Sequence, residues 1–174
     1  MISPAASGAA AFGLEPTWTS VEVFTGEQRL TCEVRISGRL RTRLLDAEPV
    51  MRVRNVNTMQ SGPSMPRLSA LQEGLLHRQF VIACAVAQGE LPDPDAPAMS
   101  ARPMLVEGRG WSITAQALFP AGVERERHLD QLMQARFWYV REAVVTAEWG
   151  PTPATWQMPE AYINLDQALG IYLG

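Results

Sequence analysis

The chain has 174 residues, of which 47% are apolar and 19% charged, an ordinary globular composition for one domain or two small ones. No window offers the ~20 uninterrupted apolar residues of a membrane helix, and the first ten residues lack the basic cluster and long apolar run of a secretory leader. The formal net charge of -3 argues against a general nucleic-acid binder.

All 15 basic residues are arginine. An individual arginine is therefore weaker evidence for phosphate or carboxylate recognition than in a chain that also uses lysine. Cys32 and Cys84 are the only cysteines and form neither a metal nor a redox signature. A cytoplasmic, reducing location is the expectation.

Taken in order, residues 1–19 lack periodicity and are rich in Ala, Ser and Gly, which predicts an arm anchored through Trp18. A first β-rich unit spans residues 20–87. Val21 to Phe24 alternates as a strand, and Thr25-Gly26-Glu27 makes a tight turn. The next strand has Leu30, Cys32, Val34 and Ile36 on one face, with Arg29, Thr31, Glu33 and Arg35 on the other. That is the alternation of a sheet with one buried and one wet face. A short helix is predicted from Arg39 to Ala47, burying Leu40, Leu44 and Leu45, with Pro49 as its stop. Val50 to Val56 reads as a strand, and Phe80 to Val86 as a short buried one. Leu68 to Leu76 fits a helical turn or a strand. Residues 88–103, which hold Pro92, Pro94, Pro97 and Pro103, read as a linker because proline suits no central strand or helix.

The second unit, residues 104–174, follows the same plan. Met104 to Glu107 is a strand with Gly108-Arg109-Gly110 as its turn. Trp111, Ile113, Ala115, Ala117 and Phe119 share one face of the following strand. A helix from Glu124 to Ala135 presents Leu129, Leu132 and Met133, and Phe137 to Ala147 is a long strand. Ala161-Tyr162-Ile163 and Ala168 to Tyr172 are two short strands joined by Asn164-Leu165-Asp166-Gln167. An offset of 83 residues brings Leu30 onto Ile113 and Thr31 onto Thr114. A further shift of five brings Leu44 onto Leu132 and Val56 onto Val144, and Phe80-Val81 falls opposite Tyr162-Ile163. The order strand, strand, short helix, strand, strand in both halves is the mark of an internal repeat. The expected fold is mainly β (α+β), with two similar small barrel-like units, each carrying a short inserted helix.

Catalytic raw material is thin. His77 and His128 are the only histidines, and His128 and Asp130 lie two apart, off a shared helical face. No cluster has metal-ligand spacing, Asp93-Pro94-Asp95 reads as a solubilising part of the linker, and no cofactor motif is present. Two surfaces stand out. Residues 29–54 hold seven arginines against Glu33, Asp46 and Glu48, so Arg39, Arg41, Arg43, Arg52 and Arg54 are candidates for an anion-binding face. Trp149 and Trp156 flank the Pro151 and Pro153 loop and are candidates for an exposed contact patch.

The run Val21-Glu22-Val23-Phe24-Thr25-Gly26, then Leu30 to Gly38, and the closing Tyr162-Ile163-Asn164-Leu165-Asp166-Gln167-Ala168-Leu169-Gly170-Ile171 resemble the opening and closing strands of Sm-like or SH3-like barrels. The pattern is also similar to short bacterial domains of unknown function, here duplicated. RNA-binding Sm barrels carry an Arg-Gly pair between their last two strands. This chain has Asn164-Leu165-Asp166-Gln167 there, so the resemblance implies a fold and not RNA binding. The functional expectation is a non-enzymatic binding or scaffold protein. The alternatives are a nucleic-acid or anionic-ligand binder using the arginine face, and an enzyme whose site gathers Tyr139, Asp130 and nearby arginines between the units. Unblocked strand edges, with an acidic second unit facing an arginine-rich first, point to a homodimer.

Overall fold

A computed structural model describes residues 15–90 and 96–174, so most of the predicted arm and Asp93-Pro94-Asp95 lie outside the described residues. The class is mainly β, as the alternating runs require. Ten strands make one open, wholly antiparallel sheet: β1 (Thr17–Phe24), β2 (Gln28–Ile36), β3 (Val50–Ser61), β4 (Gly74–His77), β5 (Ala83–Val86), β6 (Met99–Gly108), β7 (Trp111–Pro120), β8 (Phe137–Ala147), β9 (Ala154–Asn164) and β10 (Gly170–Leu173). The spatial order is β10-β6-β7-β8-β9-β5-β1-β2-β3-β4. Two short helices interrupt it, α1 (Leu40–Leu45) after β2 and α2 (His128–Gln134) after β7.

The two halves of this order carry the same pairings. β1 meets β2 with Val23 opposite Leu30, and β6 meets β7 with Val106 opposite Ile113. Glu33 faces Arg54 and Val34 faces Val53, just as Gln116 faces Arg141 and Ala117 faces Val140. A register shift falls between Thr31 and Glu33 in one half, and between Thr114 and Gln116 in the other. Asn55 and Glu142, on the partner strand of each shift, both have a φ of 52°. Such a bulge adds a residue to one strand and sharpens its bend. Phe24 opposite Ala83 is matched by Glu107 opposite Gly170, and Val50 opposite His77 by Phe137 opposite Asn164. The offset is 83 residues in the first two strands of each half and 87 in the last three, except that a second shift between Arg29 and Leu30, without a counterpart, makes it 86 at Gln60 and Ser61.

Two apolar cores result, and they exchange residues. One holds most of the second half together with Phe24, Ile82, Ala83 and Ala85 from the first. The other holds most of the first half together with Phe137 and Tyr162 from the second. Strand alternation explains the trade. On β5, Ala83 and Ala85 enter one core and Cys84 the other; on β9, Ile163 enters one and Tyr162 the other. The ladder between β5 and β9 has only two paired positions, Ala83 with Ile163 and Cys84 with Tyr162. Phe24 locks one side of it, meeting Trp111 edge-on with centroids 6.2 Å apart, Trp156 at 5.1 Å and Trp149 at 6.1 Å.

Several expectations change in the folded chain. The predicted linker is partly strand, since β6 starts at Met99, and Pro103 is paired with Gln116. Pro103 is tolerated because its carbonyl accepts from the Gly174 amide, so its nitrogen faces the side where the β10 ladder ends and no donor is needed. Phe80 belongs to a 3-10 turn, Arg78–Phe80, and is 58% exposed, so it is not the counterpart of buried Tyr162. By ladder register, Leu75 opposite Arg52 is what matches Tyr162 opposite Tyr139. α1 buries Leu40 and Leu44 and exposes Leu45, and α2 buries His128 and Leu132 while Leu129 and Met133 face out. The i, i+4 pair, not the wider face, is all that so short a helix can bury. Trp111 lies over its own hairpin because a Cβ on Gly108 would overlap the indole ring, and Gly110 turns the chain with a φ of 72°.

Two measurements check this account. Phe24→Ala removes a fully buried ring from among three indoles, and is expected to cost about 3–5 kcal/mol in chemical denaturation, with a red shift of native tryptophan emission. Glu142→Gly relieves a non-glycine residue of left-handed backbone, and is expected to raise stability by a few tenths to about 1 kcal/mol in the same assay.

Candidate functional site

The arginine face is divided among structural partners. Arg43 is mostly buried: it pairs with Asp46 at 2.9 Å and Glu48 at 3.1 Å, and donates to the Val50 carbonyl at 2.7 Å. It ties the end of α1 to the start of β3. Arg54 pairs across the sheet with Glu33, and its guanidinium lies 4.4 Å from the centroid of the Trp18 ring. This gives the predicted anchor a concrete partner, although Trp18 already belongs to β1. Arg39 precedes α1 and Arg41 sits on it, while Arg52 is exposed on β3 opposite Leu75. Arg43 and Arg54 are therefore committed to carboxylates. Arg29, not among the predicted candidates, is held by Glu22 at 2.8 and 3.1 Å and lies over Trp156.

Trp149 and Trp156 do not form an exposed patch. Trp156 is 6% exposed, and Trp149 is half-buried, stacked on Trp156 at 5.7 Å, with its Nε1 donating to the Gly26 carbonyl at 2.7 Å. The proline-rich loop beside them suggested exposure, but the first half supplies Phe24 and the Gly26 turn as a lid. No local signal marks that contact, since its partners are 123 residues apart.

His128 is buried. It stacks on Phe119 at 3.9 Å, and its Nε2 lies 3.3 Å from the Val123 carbonyl while Nδ1 lies 3.3 Å from an Arg102 nitrogen. Both ring nitrogens are occupied in holding the α2 turn. His77 is exposed at the end of β4. Asp130 is exposed on α2, whereas Tyr139 lies 5.3 Å from Tyr162 on β9 and interacts with Arg141 and Glu160.

Glu90 bridges two elements of the fold. Its Oε1 accepts from the Leu40 amide at 2.6 Å, fastening the start of α1, and its Oε2 accepts from the Tyr162 hydroxyl at 2.8 Å. Burial, reinforced by the Glu90 bond, pushes the Tyr162 hydroxyl well above its usual range, and burial also raises Tyr139. The adjoining cavity has a volume of about 10 Å³, roughly a single water's worth of space. A wider groove of about 460 Å³ runs beside β10, lined by Pro103, Met104, Thr114, Gln116, Glu142 and Tyr172 among others. It offers one carboxylate and no acid–base pair. Among the described residues no three His, Cys, Asp or Glu side chains gather as metal ligands, and no helix is long and apolar enough to cross a membrane.

What remains open on the surface is backbone. β4 and β10 are the outer strands of the sheet. Their sequences, Gly-Leu-Leu-His and Gly-Ile-Tyr-Leu, contain no proline, arginine or carboxylate. Leu75 is 69% and Tyr172 55% exposed, and the adjoining turns add Phe80 and, at 77%, Leu169. Comparison with protein-family models, curated proteins and solved structures finds no match for this chain.

The cysteines give a direct check on the cores. Burial, with Glu33 adding to it, pushes the Cys32 thiol from 9.0 up to about 12, and burial pushes Cys84 up as well. Neither thiol is expected to react with a thiol reagent at pH 8 in the folded chain, and both are expected to react in denaturant. Because the folded-state values are raised, the contribution of these thiols to stability is intact below pH 9 and falls as the pH climbs toward about 12. Urea midpoints across that window measure it.

Proposed function

We infer that the chain is one small five-strand unit used twice, each a barrel-like roll with a helix between its second and third strands, and that it serves as a non-catalytic binding or scaffold protein. What supports the duplication is the register. Every ladder of the first half, including the bulge opposite Thr31 and the strand that returns to pair with the first, has its counterpart in the second. Two unrelated β segments share an order of strands readily, but they do not share a bulge and four registers.

The observation that carries the functional reading is the pair of outer strands. Natural sheets blunt their edges with lysine, proline, inward charge or a covering loop. Here both edges are short but uncharged, and apolar side chains stand exposed on or beside them. Arg43, Glu90 and His128 are engaged in holding helices to strands and turns. That is the distribution of a protein that works by contact.

Nile red, a neutral apolar probe, tests this at submicromolar protein. The native chain is expected to enhance its fluorescence, and Leu75→Ser with Tyr172→Ser to lower the enhancement with unfolding unchanged. The competing reading, an anion binder using Arg41 and Arg52 of the arginine face, expects single-stranded RNA to bind with an affinity that drops steeply with salt. Such a drop, abolished by Arg41→Ala with Arg52→Ala, would replace the contact reading.

A further inference from the structure

The seam inside the chain is a template for a contact between chains. In the matching registers of the two halves, β9 is the counterpart of β4, and β5 is the counterpart of β10. The one ladder joining the halves, β5 to β9, therefore pairs the same two strand positions that stand unpaired at the two ends of the sheet. The geometry points to head-to-tail self-association, in which β4 of one copy pairs with β10 of the next in the register of the internal seam. This rests on the contact reading above and names its partner, a second copy of the chain.

Burial makes the same argument position by position. Ile82 and Tyr162 are 4% and 7% exposed at the internal seam. Their counterparts at the outer edges, Leu169 and Leu75, are 77% and 69% exposed. Asn164 is 1% exposed and donates from its backbone amide to Ile82 and from Nδ2 to Val81. Its counterpart His77 is exposed, and an imidazole N–H can reach an equivalent carbonyl.

The backbone is ready as well. The Arg78 amide donates inward to Pro49, as the counterpart Leu165 amide donates to Arg136. By alternation the amides of Leu75 and His77 point away from β3. The Gly174 amide donates inward to Pro103, so those of Ile171 and Leu173 point away from β6. In the seam register Ile171 of one copy meets Leu75 of the next, as Cys84 meets Tyr162 within the chain.

The copied contact lacks one part of the original. Phe24 is replaced by exposed Glu107, and Trp111 and Trp156 by Gln28 and Ser69 in the matching registers. Without the aromatic plug the contact between copies is weaker than the seam and reversible. Because its two surfaces differ, it is heterologous, and repetition closes a ring or extends a filament; it does not stop at a symmetric dimer.

Size exclusion with light scattering at tens of micromolar, on the full chain, tests this. The wild type is expected at a multiple of 19.2 kDa that falls on dilution. Leu75→Glu blocks the β4 edge and Leu169→Glu the β10 edge. Both positions are exposed, so folding is expected to be retained, with thermal unfolding as the check. Each variant alone is expected at 19.2 kDa, and their equimolar mixture at twice that mass, since each still carries the edge the other has lost. A wild type that stays at 19.2 kDa, a single variant that still dimerises, or a mixture that stays monomeric overturns the inference. Nile red binding at submicromolar protein is read separately, so a monomeric chain with a responsive edge would remove self-association and leave the contact reading standing.

Discussion

The seam between β5 and β9 is two paired residues wide, and the rest of the molecule depends on it. A strand inside a sheet ordinarily serves one core with alternate residues and gives the others to water. Here both faces of β5 are buried, one toward each core, so its four small residues, Ala-Cys-Ala-Val, are committed twice. Neither half can complete its interior alone. The second half's core needs Phe24 and Ile82, and the first half's needs Phe137 and Tyr162. Small units bury too little surface to be comfortably stable, and exchanging residues across a seam enlarges both interiors without adding chain.

Two different chemistries brace that seam from its two sides. On one, Phe24 sits among three tryptophans, and aromatic pairs at these separations add about 0.5–1.5 kcal/mol each beyond the area they bury. On the other, Glu90 links the Tyr162 hydroxyl to the first amide of α1. α1 has no side-chain cap of its own, so this carboxylate, arriving from beyond β5, supplies the acceptor its N-terminus needs. Helix, seam and the chain leaving β5 are thereby fixed as one arrangement.

The comparison of halves separates what the backbone demands from what side chains contribute. Most ladder registers, the shifts after Thr31 and Thr114, and the buried i, i+4 pair of each helix agree, because hydrogen-bonded ladders admit few alternatives once the turns are set; the shift between Arg29 and Leu30 has no counterpart. The residues that differ most lie at the seam positions. Buried Phe24 answers in register to exposed Glu107, and buried Trp156 to exposed Ser69, so equivalent ladder positions are interior in one place and surface in the other. The arginines follow the same logic. On the wet faces of β1, β2 and β3 they meet carboxylates across the ladder, as Arg29 meets Glu22 and Arg54 meets Glu33. Both pairs are part-buried, and each guanidinium also lies over an indole, Arg29 on Trp156 and Arg54 on Trp18.

Alternation along β2 was enough to name Leu30, Cys32, Val34 and Ile36 as buried, and all four are. The aromatic face of β7 and the place of each helix were equally legible, because each depends on neighbours within one or two turns of chain. The burial of Trp149 and Trp156, the exposure of Phe80 and Leu75, and the double duty of β5 were not. Phe24 and Glu107 stand at equivalent registers of the β1–β2 and β6–β7 hairpins, and nothing near either one says which will be covered. Local periodicity reports which way a side chain points. Only the tertiary structure decides what lies in that direction, because the covering residue comes from the other half of the chain.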